Sequence, residues 1–278
     1  MITGIFILAS CTKDAGMRPS YSEDIQAPLK EEISFYLDDA ADTKADIITV
    51  PSSFNVLCFT GTAGSDEMTV FNSVFSKTGS YYQGGKYWPS SDRRYNFYAS
   101  NADITASRSG AYITVSEATD IIVAHYGYRS NYESFERIIP LQFNHIYAKL
   151  GYCNVTAPEG YTVTDLKVSF SPYYLGVYDL NGVWTGKTKR NITLATSLNS
   201  SSSLGSYIVP GKYTVTLTYT LNKNGYVEPV NKSVDLEFIS GKTNNLLLRL
   251  PSGNDVEGPE GGIDVDDWES GGNINEGM

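Results

Sequence analysis

Chemically reactive side chains are scarce in this sequence. The 278 residues include two histidines, His125 and His145, and three cysteines, Cys11, Cys58 and Cys153. The cysteines form no CxxC pair and no Cys/His spacing typical of a zinc site. No zinc-protease motif, GxSxG elbow or phosphate loop occurs, so each histidine is expected to be a hydrogen-bonded core or sheet-edge residue. We therefore expect no catalytic residue, no metal and no cofactor, and we predict that the protein is not an enzyme.

Positive charge is also sparse. Charged residues make up only 19% of the chain, and the formal net charge is −10. Residues 252–278 contain no Lys or Arg and eight acids: Asp255, Glu257, Glu260, Asp264, Asp266, Asp267, Glu269 and Glu276. Without this acidic tail the net charge would be about −2. Because phosphate binding needs clustered Lys and Arg, we expect no nucleic-acid partner.

No apolar run is long enough to span a membrane as a helix, which takes about 20 residues. The apolar run at the start, residues 2–9, is ITGIFILA, and the tetrapeptide Leu8-Ala9-Ser10-Cys11 spans its end. This tetrapeptide resembles the lipobox of bacterial lipoproteins, which implies a signal peptide over residues 1–11 and acyl chains on Cys11 that anchor the protein in the outer membrane. The usual basic n-region is missing, since the first basic residue is Lys13. We infer that the natural start codon lies upstream, and we predict a flexible tether over residues 12–30.

Helical periodicity is absent from every long stretch, whereas strand-like alternation is frequent. In residues 33–37 the apolar side chains of Ile33, Phe35 and Leu37 lie at every second position. In residues 213–221 apolar side chains alternate with threonines. Asn224-Gly225 is a strong hairpin signal, and Gly84-Gly85 is predicted to turn a second hairpin. The pattern predicts an all-β protein with two antiparallel β-sandwich domains in tandem, over residues 31–152 and 153–251, followed by the acidic tail over residues 252–278.

Two side-chain groups allow more than one interpretation. Cys58 and Cys153 lie in apolar strand-like runs and are either two buried small hydrophobes or a disulfide. A second group of aromatic residues could stack on sugars or could belong to a sandwich core or edge. Its members are Tyr81, Tyr82, Tyr87 and Trp88.

The order of several short motifs resembles the fimbrillin-like family of Bacteroidales-type fimbriae. After the lipobox come Ile33-Ser34-Phe35, Thr43-Lys44-Ala45, Tyr87-Trp88-Pro89, Phe97-Tyr98-Ala99 and Leu141-Gln142-Phe143-Asn144-His145. The tail segment 263–268 is similar to the way many family members end. The resemblance implies two transthyretin-like β-sandwiches, export as an outer-membrane lipoprotein, and polymerisation with other fimbrial subunits at the cell surface.

The resemblance also implies site residues. In shaft subunits a protease cuts after a basic residue that follows the first strand, and a neighbour's segment fills the groove left by that strand. Here the displaced strand would be residues 32–37, with Ile33, Phe35 and Leu37 on one face, and the cut would fall between Lys44 and Ala45. Many members have Arg at this position, so an Arg-specific protease would leave this chain uncut. An ordinary exposed loop lysine is the alternative for Lys44.

The candidate donor strand lies in the tail. Ile263 and Val265 alternate as a donor strand requires, and Trp268 is the next large apolar residue. The alternative is a solvated C-terminus. We expect the displaced strand at a sheet edge, and a buried position in mid-sheet, with hydrogen bonds on both sides and no route of exit, would rule out exchange.

Two functions follow from these expectations. The first is a structural or accessory tip subunit of a fimbria that assembles by strand exchange and supports adhesion. The alternative is a monomeric outer-membrane surface lipoprotein that binds glycans or host proteins through exposed aromatic residues and loops.

Overall fold

The computed structural model describes residues 31–37, 51–60, 68–88, 94–107, 110–129, 138–199, 204–250 and 260–267. This part of the chain contains strands and no helix, which confirms the all-β prediction. In chain order the strands are β1 (Glu32–Leu37), β2 (Ser53–Thr60), β3 (Met68–Thr78), β4 (Tyr81–Tyr87), β5 (Arg94–Ser100), β6 (Thr105–Ser107), β7 (Gly110–Val115), β8 (Ile122–Arg129), β9 (Ile138–Leu141), β10 (Asn144–His145), β11 (Ala148–Thr156), β12 (Thr162–Phe170), β13 (Tyr173–Asp179), β14 (Val183–Lys189), β15 (Ile192–Ala195), β16 (Tyr207–Ile208), β17 (Gly211–Lys223), β18 (Tyr226–Phe238), β19 (Lys242–Arg249) and β20 (Glu260–Asp267).

The first half of the chain forms an eight-stranded sheet in the order β10-β8-β5-β2-β3-β4-β1-β9. The sheet rolls up so that β8 approaches β9, and nearly all of its strands contribute to one buried apolar cluster. We call this cluster the N-terminal core. The inward side chains alternate with outward ones along each strand, as the pleat requires.

The second half forms a sandwich of two four-stranded sheets, in the orders β16-β11-β19-β20 and β15-β12-β17-β18. Their inner faces enclose a second buried cluster, the C-terminal core. The β17–β18 hairpin turns at Asn224 and Gly225, both at positive φ (52° and 85°), as predicted. On β17 the side chains of Val215, Leu217 and Tyr219 are buried and the intervening threonines face outward.

A fourth sheet, in the order β14-β13-β7-β6, is built by both halves. The β13–β14 hairpin comes from the second half, but β13 pairs with β7 of the first half from Gly176↔Val115 to Asp179↔Tyr112. A third buried cluster, the junction core, lies between this sheet and the outer face of β2, β5 and β8. The predicted boundary between residues 152 and 153 falls within β11.

Two features of the sheets correct the sequence-based expectations. First, pairing is not wholly antiparallel, because β1 pairs with β9 and β11 pairs with β19 in parallel. Second, β1 is not an edge strand, because it lies between β4 and β9. These pairings join segments far apart in sequence, so local patterns do not reveal them.

Cys58 and Cys153 are both buried and free, which confirms the interpretation as small hydrophobes and excludes the disulfide. Cys58 lies in the N-terminal core and Cys153 in the C-terminal core. Burial raises the pKa of both thiols, that of Cys153 to about 12.

Candidate functional site

The first strand, β1, is bound on both sides. Towards β4 it pairs antiparallel, with Phe35 opposite Tyr82. Towards β9 it pairs parallel over four consecutive residues, from Ser34↔Ile138 to Leu37↔Leu141. Among the described strands β9 is the last of the sheet, so one four-residue strand lies between β1 and this edge.

Phe35 is the centre of the N-terminal core. Its side chain is fully buried, and its ring makes edge-to-face contacts with three others: Phe75 at 5.0 Å, Phe97 at 5.4 Å and Phe54 at 6.3 Å between centroids. Aromatic pairs of this kind contribute about 0.5–1.5 kcal/mol each beyond area burial. Ile33 is also fully buried and Leu37 is half-buried, so the predicted inward face of this strand is confirmed.

Polar contacts hold the start of β1 against a bulge in β4. The Gly85 N–H donates to Glu32 Oε1 at 2.9 Å, and Gln83 Nε2 donates to Ser34 Oγ at 3.3 Å. The register between the strands shifts between Glu32 and Ser34. The predicted hairpin turn at Gly84-Gly85 is therefore wrong, because these glycines form the bulge within β4. Gly85 has φ +64°, and a Cβ on Gly84 would lie 2.8 Å from the Val74 carbonyl oxygen, so both positions favour glycine.

The C-terminal candidate lies partly in β20, an edge strand that pairs antiparallel with β19. Ile263 stands opposite Leu246 and Val265 opposite Asn244 in this register. Trp268, Cys11, Lys44 and Ala45 lie outside the described residues, as do the predicted signal peptide and tether.

The four aromatic residues considered for sugar stacking divide into two pairs. Tyr82 is buried and donates its hydroxyl to the Pro51 carbonyl at 2.9 Å, and Trp88 packs edge-on against Tyr95 and Phe97. Tyr81 and Tyr87 are 41% and 46% exposed. They are the members of this group that remain available to a ligand.

His145 has the structural role that its pattern predicted. It is buried, and its Nδ1 lies 2.6 Å from Asp120 Oδ1. His125 stacks on Tyr98 with ring centroids 4.4 Å apart. Within the described ranges no group of three His, Cys, Asp or Glu side chains could hold a metal ion, and no helix could cross a membrane.

The sequence matches the family model described as fimbrillin-like over residues 40–268. The chain belongs to the fimbrillin-like family. The match begins after β1, so the displaced-strand candidate precedes the matched region. Among curated proteins, none matches this fimbrillin-like sequence.

Solved structures support the fold of this fimbrillin-like chain. A fimbrial protein of Bacteroides vulgatus is 13% identical, with a TM-score of 0.51 over 85% of this chain and 99% of that one. A candidate cell adhesion protein of Parabacteroides distasonis is 9% identical, with a TM-score of 0.54 over 86% of this chain and 97% of that one. At these identities the likeness establishes the shared fold.

Proposed function

We propose that this chain is a subunit of a cell-surface fimbria that assembles by strand exchange: β1 leaves the N-terminal core and a strand from a neighbouring subunit takes its place. The observation that carries the proposal is the position of Phe35, a fully buried residue at the centre of a core, on a six-residue strand near the start of the chain. Loss of β1 would open a long apolar groove that only another strand could fill with matching hydrogen bonds.

The position of β1 in mid-sheet, paired on both sides, counts against exchange unless the strand has a route of exit, and it makes spontaneous exchange costly. If β1 left and nothing replaced it, the core would lose the side chains of Ile33 and Phe35. Each such loss lowers the free energy of unfolding by about 2–5 kcal/mol. The departure of β1 would also leave two ladders of backbone groups unpaired. Exchange therefore requires a cut in the connection after β1, for which Lys44-Ala45 is the proposed site, and a donor that enters as β1 leaves.

The same position gives a donor more to bind than an edge would. A donor strand can form one ladder with β4 and another with β9, while its alternate side chains enter the core. Because β9 pairs over only four residues and is the sheet edge, its outward movement offers a route for β1 to leave and for a donor to enter.

The remaining features of the proposal concern location and partners. We propose that the chain is exported, that acyl chains on Cys11 anchor it in the outer membrane, and that residues 12–30 tether it. Its partners are other fimbrial subunits, with ligands on host or bacterial surfaces when it occupies a tip position. We also predict that the chain has no enzymatic activity.

Formation of β20 supports a donor role for the tail. Residues 260–267 pair as an added strand on the edge of a sheet, with Lys242 opposite Asp267 and Arg249 opposite Glu260. A segment that pairs at one sheet edge has the backbone conformation that a donor needs. To act as a donor, it would first have to leave β19.

The alternative function, a monomeric lipoprotein that binds glycans, is favoured by one surface. Phe35 and Tyr82 are paired and point into the core, and their neighbours Tyr36 and Tyr81 are both exposed. Continuing the register by one residue places these two tyrosines opposite each other. Pro140 on β9 and Thr78 on β3 continue this row. Exposed tyrosine rings beside polar groups are suited to stacking against sugars.

A peptide-exchange experiment tests the assembly mechanism. A specific protease site is placed between residues 38 and 50, the chain is cut, and a fluorescent peptide with the β1 sequence is added in excess. We expect the cut chain to exchange its own N-terminal fragment for the peptide on a gel-filtration column, and the uncut chain to take up none. A cut chain that retains its fragment and binds no peptide, even after cycles of mild denaturant, would exclude strand exchange.

A cell-surface experiment separates the two functions. Surface extracts of the source bacterium are run on detergent gels with and without heating, and the chain is detected by antibody. A ladder of heat-sensitive bands supports the fimbrial subunit. A single monomer band, together with glycan binding that is lost in Tyr81→Ala, supports the alternative.

A further inference from the structure

The groove left by β1 has a shape that selects among donors. The Phe35 ring occupies a pocket whose walls are Phe54 on β2, Phe75 on β3 and Phe97 on β5, all at centroid distances of 6.3 Å or less and all at steep interplanar angles. Ile33 occupies the neighbouring buried position two residues earlier. The groove therefore presents an aromatic pocket next to a smaller aliphatic one.

The walls of the aromatic pocket cannot easily close around a smaller side chain. Phe54 is itself packed against Tyr82 at 4.7 Å and Phe143 at 5.3 Å, and Phe75 against Phe71 at 5.9 Å. Phe97 lies 5.8 Å from Trp88 and 6.4 Å from Phe71. Each wall ring is thus held by further rings of the same core. A cavity costs most where its surroundings cannot collapse, so a donor lacking an aromatic side chain would bind with a void.

The chain's own tail does not match these two pockets. In residues 252–278 the only large apolar side chains two residues apart are Ile263 and Val265, and both are aliphatic. Either orientation of this pair in the groove places Ile or Val in the aromatic pocket. In both cases the pocket is underfilled.

Trp268, the only aromatic residue of the tail, does not solve the problem. With Trp268 in the aromatic pocket, the Ile33 position receives Asp266 in one orientation and Ser270 in the other. Burial of an unpaired carboxylate or hydroxyl in an apolar site is unfavourable, and tryptophan is larger than the phenylalanine that it would replace.

We infer that the groove accepts the donor strand of a different subunit, one that carries an aromatic side chain at the position of Phe35 and a branched aliphatic side chain at the position of Ile33. This inference rests on the proposed function and identifies the partner at the same site. It makes the chain a member of a mixed assembly, in which its own tail serves another subunit's groove or remains on β19.

Competition between donor peptides tests the inference on the cut full-length chain described above. The peptides are the β1 sequence, the wild-type tail sequence of residues 259–270, and tail variants with Val265→Phe and Ile263→Phe, one for each orientation. We expect the β1 peptide to bind most tightly. The better of the two variants is expected to have a Kd at least about tenfold lower than that of the wild-type tail.

Two matched controls separate pocket fit from general hydrophobicity. Asp264→Phe in the tail peptide adds the same ring at a position that faces outward when Ile263 and Val265 face the core, so it is expected to give no comparable gain. Phe35→Val in the β1 peptide is expected to weaken binding by about tenfold or more, the reverse of the gain in the tail.

The outcomes distinguish the inference from the proposed function. Binding of the β1 peptide together with equally tight binding of the wild-type tail would overturn the inference and leave strand exchange intact. Equal gains from Asp264→Phe and from both inward variants would also overturn it. Failure of the β1 peptide itself to exchange would overturn the proposed function.

Discussion

The ring of Phe35 on β1 lies 5.0 Å from the ring of Phe75 on β3, edge to face, although β4 separates the two strands in the sheet. The contact crosses β4 beside Gly84, where a Cβ would lie 2.9 Å from Phe75 Cδ2. It joins the proposed exchangeable strand to the part of the protein that stays in place, so the stability of the N-terminal core depends on what occupies the position of Phe35.

Phe35→Ala is expected to lower the free energy of unfolding by about 3–5 kcal/mol, because it leaves a cavity walled by rigid rings. Urea denaturation measures the loss. The control is Tyr36→Ala on the same strand, since Tyr36 is 36% exposed and its loss is expected to cost about 1 kcal/mol or less. Equal effects of the two substitutions would show that Phe35 does not have the central role described here.

Asp120→Asn is expected to lower the free energy of unfolding by about 1–3 kcal/mol, because it weakens the 2.6 Å contact with buried His145. Asp120 is partly exposed, and water reduces the effect. Glu117→Gln, an exposed acid in the same loop, is the control and is expected to change stability by less than about 0.5 kcal/mol. Thermal unfolding of both variants in one buffer makes the comparison.

The two core cysteines are expected to resist alkylation at pH 8 in the folded protein. Burial raises the pKa of the Cys153 thiol to about 12 and that of Cys58 further, so both stay protonated, whereas unfolded thiols ionise near pH 8.5. A chain without residues 1–11 leaves these as the only thiols, and mass spectrometry with iodoacetamide counts the adducts before and after unfolding. Rapid native labelling at either residue would contradict the burial.

The same shifts predict a dependence of stability on pH. Because the folded state keeps protons that the unfolded state releases, the contribution of these thiols is complete below about pH 8.5 and declines as the pH rises towards 12. Cys153→Ala is expected to flatten the alkaline part of the stability curve measured by denaturant titration.

Trp184 on β14 gives a graded test of the contact between the two halves. Its Nε1–H donates to the Ile146 carbonyl at 3.0 Å, and its ring packs on Tyr147 at 4.9 Å and Tyr178 at 5.2 Å. Trp184→Phe is expected to cost about 1 kcal/mol for the lost hydrogen bond, and Trp184→Ala about 3–5 kcal/mol for the lost ring packing. If both substitutions lowered the free energy of unfolding equally, the ring packing of Trp184 would contribute nothing beyond the hydrogen bond.

Local patterns in the sequence predicted individual strands well. Alternation identified the buried face of β1 through Ile33 and Phe35, and Asn224-Gly225 identified the β17–β18 hairpin, because both signals arise from neighbours in the chain. Gly84-Gly85 also carried a turn signal but forms a bulge. Glycine pairs suit both structures, and only the neighbouring strands decide between them.

Long-range pairing was beyond these patterns. The parallel ladder that begins at Ser34 and Ile138 joins residues about a hundred positions apart. The sequence around either residue does not indicate which strand it pairs with. Likewise, the alternation of β13 shows that it is a strand but not that it pairs with β7 across the two halves. The sequence therefore predicted which side chains of β1 are buried, but it placed this strand at a sheet edge, which is wrong.

The sheet shared by both halves has a mechanical consequence for a fibre subunit. Tension between a donor held in the β1 groove and a tail engaged with the next subunit would pass through the β7–β13 ladder and the junction core as well as through the short peptide between β10 and β11. The two halves could then separate only after these hydrogen bonds and apolar contacts had broken. Such a subunit would carry load as a single stiff link.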